Sequence, residues 1–394
     1  MKGKRGLALL VAAAAGCGGD GEERPSDDRV RRTRPSGDVT MLGGRDARLT
    51  PEAIERGRRD TAWRRYVEVD SAAVTDTARG GEAWSDISVQ SLNEVRARLP
   101  LHGDAEGPSV MRVQILLDRA RFSPGVIDGR WGQNTEKAVY WLQQREGLRR
   151  TGVVDATTYE RLAELAGGPA RLVNEHRLGE EDVPGPFVRI PEDIYAHAEL
   201  DCSCYESPLE AVSERFHVTP EALEQLNPDV ALSSLAAGDR LLVPAVRDRG
   251  ASAADSVAEI RISAGGHYLH ALAADGRLLY HFPTTLGSDY DPSPSGEFEI
   301  TSITLDPWWH YQPELLANVP DDEANARIPP GPNNAVGVVW LALSEPHYGI
   351  HGTSAPETIG YATSSGCVRL TNWDARFLAE RVREGTRVRF RDVQ

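Results

Sequence analysis

Apolar residues recur at helical spacing in a stretch that begins near residue 106. Three such runs lie between residues 106 and 168, and turn residues at Pro124-Gly125 and Gly147 separate them. Apolar positions three and four apart line one face of a helix, so each run can bury one side against the others. The pattern predicts a compact three-helix bundle over 106–168, in which Asn134 or Thr135 caps the second helix and Asp155 caps the third.

A second small module is predicted over residues 195–246. Ser207-Pro208 and Thr219-Pro220 each place a capping hydroxyl before a proline, which is typical of a helix start. An apolar strand over 241–244 closes the module, and we place the opening strand near Tyr195. The predicted order is strand, helix, helix, strand.

Short apolar runs with strand character follow from residue 255 to residue 392. The turn Asp275-Gly276 lies between two such runs, which indicates a hairpin. One helix is predicted to begin at Thr371 or Asn372. The region is therefore expected to be a mainly β domain, and we predict a β-sandwich.

The first residues predict export from the cytoplasm. A basic start precedes the apolar run 7–15, which is far shorter than the roughly 20 residues that a membrane-spanning helix needs. Small residues stand directly before Cys17, an arrangement that resembles the cleavage site of bacterial lipoproteins. We expect residues 1–17 to be a signal peptide and Cys17 to be a lipid anchor to the membrane, with ordinary cleavage nearby as the alternative. The expected location is the cell envelope, in the periplasm.

Composition narrows the classes of function. A chain of 394 residues predicts two to four domains, and 40% hydrophobic with 26% charged residues fits neither a membrane-embedded nor a wholly disordered protein. The net charge of -15 argues against sequence-independent binding of nucleic acid, which needs a basic surface. Residues 18–105 are polar with isolated aromatic residues, so we interpret them as a largely disordered tether.

The candidate chemistry centres on a histidine and a cysteine. His351 and Cys367 are sixteen residues apart in the sequence. A cysteine reacts as its thiolate, yet a free thiol has a pKa of about 8.5 and is mostly protonated at neutral pH. It therefore needs a base, and His351, with an ordinary pKa of about 6.5, is the candidate.

The residues around Cys367 favour a sharp bend. Ser364, Ser365 and Gly366 are small and precede the cysteine directly. Such a bend can expose backbone N–H groups as an oxyanion hole, in which each donor contributes roughly 3 kcal/mol to the transition state. Arg369 lies on the same side as Cys367 if the segment is extended, where it can hold a substrate carboxylate or lower the pKa of the thiol.

Two further cysteines, Cys202 and Cys204, do not predict a metal site. A structural zinc site needs four ligands, and only His197 and His217 lie close by in the sequence. A local disulfide and a pair of structural thiols both remain open.

Three resemblances follow from these motifs. Residues 108–166 contain, in order, Val-Gln-Ile-Leu-Leu (113–117), Ile-Asp-Gly-Arg-Trp-Gly (127–132), Thr-Glu-Lys-Ala-Val (135–139), Leu-Gln-Gln (142–144) and Gly-Leu (147–148). This order resembles the peptidoglycan-binding domain that accompanies many wall enzymes. Residues 195–246 look like a LysM domain, which binds glycans that contain N-acetylglucosamine. Residues 282–390 resemble the YkuD-type L,D-transpeptidase catalytic domain. The motifs that carry this last resemblance are Pro294-Ser295-Gly296-Glu297-Phe298, Ile350-His351-Gly352-Thr353, Ser364-Ser365-Gly366-Cys367-Val368-Arg369-Leu370 and Gly385-Thr386-Arg387-Val388.

The resemblance to L,D-transpeptidases implies roles for individual residues. Cys367 would be the nucleophile, His351 the base, and the carbonyl of Gly352 would orient the imidazole. Ser365 stands where members of the family usually carry a second histidine, so no role for a second imidazole is implied. Gly366 belongs to the bend that shapes the catalytic site.

The resemblance also implies the reaction and its partners. Cys367 would attack a peptidoglycan tetrapeptide stem and expel the terminal D-alanine, and an amine from a neighbouring stem would resolve the thioester into a 3-3 cross-link. The route requires no cofactor and no metal. Candidates for holding the stem are Arg369, Ser364, Ser365 and Trp309, with Trp308 beside it. Glycan strands would engage the wall modules, and a carbapenem β-lactam would acylate Cys367.

Other functions remain open at this stage. Water in place of the amine would make the protein an L,D-carboxypeptidase or a hydrolase that releases wall-linked protein. A third hypothesis is a non-catalytic wall-binding lipoprotein, which only Ser365 favours. A generic cysteine protease is the fourth, although no other protease motif is present.

Overall fold

The computed structural model describes most of the chain beyond residue 48. The described residues are 49–70, 81–93, 96–169, 171–247, 256–288, 292–315 and 323–391. Within these ranges, no helix combines the length and the apolar character that crossing a membrane requires. The predicted signal peptide and the Cys17 anchor lie outside the described residues.

Short helices dominate the first half of the described chain, and strands dominate the second. The α-helices are α1 (Pro51–Arg58), α2 (Val89–Asn93), α3 (Pro108–Arg119), α4 (Gln133–Arg145), α5 (Ala156–Leu165), α6 (Ile194–Ala198), α7 (Pro208–Arg215), α8 (Pro220–Leu226) and α9 (Asn372–Ala379). Single 3-10 turns cover Ala62–Tyr66, Trp84–Asp86, Leu232–Ser234, Pro313–Leu315 and Pro356–Thr358. The strands are β1 (Val173–Arg177), β2 (Arg240–Pro244), β3 (Glu259–Ser263), β4 (Tyr268–Leu272), β5 (Leu278–Pro283), β6 (Leu286–Gly287), β7 (Gly296–Leu305), β8 (Trp309–Tyr311), β9 (Ala326–Ile328), β10 (Val339–Leu343), β11 (Gly349–His351), β12 (Thr363–Ser364), β13 (Val368–Arg369) and β14 (Arg387–Arg391).

Helices α3, α4 and α5 occupy the region in which three helices were predicted. Asp155 caps α5 as expected, because its side chain accepts a hydrogen bond from the Thr158 N–H at 2.8 Å. Helix α4 begins at Gln133, one residue before the first predicted cap, Asn134. The Asn134 amide instead donates to the Ile359 carbonyl at 2.8 Å, so a side chain expected to cap a helix binds the catalytic domain.

Residues 49–70 and 81–105, placed in the tether by the sequence analysis, fold against the rest of the chain where they are described. Trp63 is buried and packs edge-on against Tyr140 of α4, with ring centroids 5.6 Å apart. Ile87 and Leu92 are also buried. These apolar residues show no period along the chain because distant residues, not their sequence neighbours, cover them.

The strand–helix–helix–strand order is present, but its opening strand lies earlier than predicted. Strand β1 pairs antiparallel with β2 over its whole length. Tyr195, near which the opening strand was expected, lies in helix α6. Helices α7 and α8 begin as predicted, with the hydroxyls of Ser207 and Thr219 as caps. We call β1, α7, α8 and β2 the βααβ unit, and its likeness to a LysM domain stays a prediction.

The region after residue 255 is mainly β, as predicted. Instead of the separate facing sheets of a β-sandwich, eight of the described strands share one hydrogen-bonded order, β13-β11-β10-β7-β14-β3-β4-β5. The long strand β7 explains this curled sheet, because residues 296–299 pair with β14 whereas residues 300–305 pair with β10. Strand β14, near the end of the chain, inserts parallel to β3, a long-range pairing that local patterns do not reveal.

A buried group of ionisable residues lies where the helical region, the βααβ unit and the catalytic domain meet. Its members are Asp118 of α3, His217 beside the βααβ unit's helices, Arg247 after β2 and Asp374 of α9, and we call it the junction cluster. His217 Nδ1 lies 3.0 Å from Asp118 Oδ1, and Arg247 Nη1 lies 3.2 Å from the same oxygen. Arg247 also pairs with Asp374. The cluster therefore fixes α9, and the residues that precede it, against helix α3 and against the βααβ unit.

Candidate active site

Parallel strand pairing brings His351 and Cys367 together. Strands β11 and β13 pair in the register Ile350 with Val368 and His351 with Arg369. The Leu370 N–H extends this ladder by donating to the His351 carbonyl at 2.8 Å. Because Cys367 directly precedes β13, the pairing places the thiol next to the strand that carries the imidazole.

The hydrogen bond at Nδ1 sets the protonation pattern of His351. Nδ1 lies 2.7 Å from the carbonyl oxygen of Gly352. A carbonyl can only accept, so Nδ1 carries the hydrogen and Nε2 of the neutral ring is left as the acceptor. The ring also stacks on Trp340, with centroids 5.4 Å apart and planes 25° apart. The geometry therefore prepares Nε2 to accept a proton, as a base must.

The Cys367 thiol is held mainly in its protonated form. Burial raises its pKa above the ordinary value, and this outweighs the opposing effects of the Gly349 backbone and the Arg369 charge. The thiol also donates to the His347 carbonyl, with an S···O distance of 3.6 Å. Cys367 must therefore lose a proton as it reacts, and a nearby base is needed to accept that proton.

The bend before Cys367 requires glycine. Gly366 has a φ of +100°, and a Cβ at this position would lie 2.7 Å from the ring of Tyr348. Side chains brace the bend, since Ser293 Oγ donates to the Gly366 carbonyl at 2.8 Å and Ser364 Oγ donates to the Cys367 carbonyl at 2.6 Å. The Ser364 hydroxyl thus supports the nucleophile's backbone.

Most of the predicted site residues line one cleft of about 410 Å³. Those at the cleft are His351, Ser364, Ser365, Cys367, Arg369, Trp308 and Trp309. Gly352 and Gly366 hold the backbone beside it. Trp340, His310 and His347 also line the cleft and were not predicted as site residues. Trp340 could have been found, because it alternates with the buried Val339 and Leu341 of β10 and faces the same side as His351.

Cys202 and Cys204 form a disulfide, which resolves the choice left open by the sequence. Elsewhere in the described ranges, no group of three or more His, Cys, Asp or Glu side chains is arranged to hold a metal ion. Cys367 is the free cysteine among the described residues. The cleft thus presents one thiol together with the imidazoles of His310, His347 and His351, a set of groups suited to acyl transfer.

The region after residue 255 is a mainly β domain whose cleft is lined by a thiol and by histidine imidazoles. The family model of the L,D-transpeptidase catalytic domain, YkuD, matches residues 257–390, and the model of the peptidoglycan binding domain matches residues 106–162. The protein named L,D-transpeptidase YkuD in Bacillus licheniformis is 33% identical over 181 residues, which cover 46% of this chain and 91% of that protein. Its namesake in Bacillus subtilis is 32% identical over 180 residues, covering 46% of this chain and 91% of that protein. The chain therefore belongs to the YkuD family of L,D-transpeptidases, enzymes that act on peptidoglycan.

Solved structures are similar at lower identity. The crystal structure of L,D-transpeptidase 3 from Mycobacterium tuberculosis, in complex with a faropenem-derived adduct, is 16% identical to this chain. The match covers 40% of this chain and 76% of that one, with a TM-score of 0.29.

Proposed function

We propose that this chain is a peptidoglycan L,D-transpeptidase that forms 3-3 cross-links between stem peptides. The observation that carries the proposal is the pairing of β11 with β13, which sets His351 and the Cys367 thiol on one cleft. The hydrogen bond from His351 Nδ1 to the Gly352 carbonyl supports a role as base, because it leaves Nε2 to accept the proton.

The first half of the reaction forms a thioester. The Cys367 thiol gives its proton to His351 Nε2 as Sγ attacks the carbonyl at the L-centre of the diamino acid in a tetrapeptide stem. The tetrahedral intermediate collapses, the bond to D-alanine breaks, and the leaving amine takes the proton from the imidazolium. Backbone N–H groups of the bend at Gly366 are the candidates for stabilising the oxyanion.

The second half transfers the acyl group to an acceptor amine. The amine of a neighbouring stem attacks the thioester and passes a proton to His351 Nε2, and Cys367 leaves as a thiol after taking that proton back. Arg369 would hold a stem carboxylate, and Trp309, Ser364 and Ser365 would contact the stem. A cleft of about 410 Å³ suits a short peptide.

The modules that precede the catalytic domain would keep the enzyme on its polymer. The match of residues 106–162 to a peptidoglycan binding domain supports this role, and the βααβ unit would add a glycan contact. Two weak contacts with one polymer raise the effective concentration of stems near the cleft.

Product analysis tests the proposed reaction. The purified protein is incubated with disaccharide-tetrapeptides, and the products are separated and weighed by mass spectrometry. We expect free D-alanine together with dimers joined between two diamino acids, and no product from Cys367→Ala. Tripeptides without dimers would contradict cross-linking in favour of hydrolysis, and the absence of any product would contradict enzymatic function.

Anchoring to the membrane from the periplasmic side is proposed from the lipoprotein-like motif at Cys17. Cys17→Ser should move the protein from the membrane fraction to the soluble fraction, because the thiol that accepts the lipid is gone. Cys367→Ser is the matched control and should remain with the membrane. Retention of the Cys17→Ser protein in the membrane fraction would contradict the anchor.

A further inference from the structure

The peptide unit between Gly352 and Thr353 is held at both of its polar ends. Its C=O accepts from His351 Nδ1 at 2.7 Å, and its N–H donates to the Asn372 side-chain oxygen at 3.1 Å. A peptide unit is planar, so a contact that fixes the N–H also fixes the direction of the C=O. Asn372 therefore acts on the carbonyl that orients the His351 ring.

The close approach of Asn372 depends on two glycines. A Cβ on either Gly352 or Gly337 would clash with Asn372 Oδ1. The same oxygen accepts from the Val338 N–H at 3.2 Å, so it joins two backbone segments beside the site. Thr371, not Asn372, caps α9, which leaves the Asn372 amide available for these contacts.

The other end of the Asn372 amide binds a residue from outside the catalytic domain. Nδ2 donates to the Pro332 carbonyl at 3.1 Å and lies 3.2 Å from each carboxylate oxygen of Glu214. Asn372 Oδ1 accepts from two backbone N–H groups, and the partners of Nδ2 are all acceptors. Exchanging the oxygen and the nitrogen would break these hydrogen bonds, so the amide has one favourable orientation. Glu214 lies on α7 of the βααβ unit, where the Tyr205 hydroxyl also donates to it at 2.9 Å.

We propose that Glu214 and Asn372 are positioning residues for His351, so that a carboxylate of the βααβ unit supports the base of the catalytic domain. The inference rests on the proposed function, in which His351 is the base. A charged acceptor strengthens the hydrogen bond from Asn372 Nδ2. Asn372 Oδ1 in turn fixes the 352–353 peptide, whose carbonyl binds His351 Nδ1. The His351 ring therefore keeps its orientation and its Nδ1 proton, and Nε2 can accept a proton from Cys367.

The decisive variant is Asn372→Asp, which keeps the shape of the side chain. It places a carboxylate oxygen against Glu214 and the Pro332 carbonyl, where the Nδ2 donor stood. We expect acylation of Cys367 by a tetrapeptide or a carbapenem to slow by about 10- to 100-fold, by analogy with the loss when a partner that orients a metal-binding histidine is removed. The loss should fall on kcat with KM held, because neither residue lines the cleft.

Rescue separates positioning from a general structural role. In the double variant Asn372→Asp with Glu214→Gln, the glutamine amide can donate to the new carboxylate, so most of the rate should return. Glu214→Leu, a second single variant, should slow acylation while the chain keeps its melting temperature within a few degrees. Glu224→Gln on α8, an exposed residue of the same unit, is the matched control and should acylate at the wild-type rate.

The outcomes distinguish this inference from the proposed function. If the wild-type protein forms neither an acyl-enzyme nor product, the proposed function fails. If the wild type is active and Asn372→Asp and Glu214→Leu both keep its rate, the positioning role is overturned while the proposed function stands. A double variant that is no faster than Asn372→Asp would also overturn it.

Discussion

Two histidines of this protein share most of their local features and yet differ in what they can do. His217 and His351 are both buried, at 2% and 4% exposure, and each has Nδ1 bound to a fixed oxygen. Each also stacks on a tryptophan, His217 on Trp373 at 5.0 Å and His351 on Trp340 at 5.4 Å. Burial, stacking and a hydrogen bond at Nδ1 therefore do not by themselves mark a catalytic histidine.

The charges around the two rings differ. In the junction cluster, burial acts to raise the pKa of Asp118, but the charge of Arg247 and the contact with His217 lower it to about 2. Burial lowers the pKa of His217 against the pull of Asp118, so its ring is neutral at neutral pH. Asp118 and Arg247 therefore stay charged at neutral pH, and Arg247 forms ion pairs with both Asp118 and Asp374. At the cleft, burial raises the pKa of Cys367 despite the nearby Arg369 charge, so the thiol becomes charged only when it reacts.

The substitution His351→Ala is expected to have the largest effect on the reaction rate and tests the contrast between the two histidines most strongly. Loss of the base should slow acylation of Cys367 by roughly 100-fold or more, the usual contribution of general-base catalysis. His217→Gln is the matched substitution in the junction cluster and should keep the rate of the folded protein. Equal losses in the two variants would remove the distinction between the histidines.

Arg247→Met should lower stability more than it lowers activity. It removes the cation from between two buried carboxylates, so we expect the free energy of unfolding to fall by about 3–5 kcal/mol. Urea titration followed by circular dichroism measures this change, and the acylation rate at low temperature should stay near that of the wild type.

Arg240→Met provides the control for the junction cluster. Arg240 pairs with Glu175 on the surface, where both side chains are more than half exposed, so its loss should cost less than about 1 kcal/mol. Equal destabilisation by the Arg240 and Arg247 substitutions would contradict a stabilising role for the buried pair.

The smallest expected effect is a shift in the pH dependence of thiol alkylation. A raised pKa leaves less thiolate at neutral pH than in a free cysteine, so the rate of iodoacetamide labelling of Cys367 should climb as the pH rises past the ordinary midpoint of about 8.5. Arg369→Gln should move the midpoint higher still, because the Arg369 charge lowers this pKa. A midpoint below that of free cysteine would instead indicate a preformed thiolate beside a protonated His351.

Local signals in the sequence predicted much of the secondary structure and the cleft. Caps at Asp155, Ser207 and Thr219 act on N–H groups three residues later, so neighbours in the sequence suffice to reveal them. His351 and Cys367 were predicted because a reactive thiol needs a base and because the motifs around both residues resemble those of L,D-transpeptidases. The lining of the cleft by both agrees with that reasoning.

What the sequence could not reveal depends on contacts between distant residues. The bond between Asn372 and Glu214 joins residues 158 positions apart, and neither has a local pattern that predicts the other. The insertion of β14 beside β3 is of the same kind, and so is the burial of Trp63 by α4. The opening strand of the second module was placed near Tyr195, whereas the Asp193 side chain caps a helix that begins at Ile194.

The most direct test of the account is the mass of the protein after it reacts with a carbapenem. Proteolytic digestion and mass spectrometry should find one drug mass on the peptide that contains Cys367, formed when the thiol opens the β-lactam ring, and none in the Cys367→Ala protein. An adduct on another residue, or an adduct that persists in Cys367→Ala, would contradict the claim that this sulfur is the nucleophile.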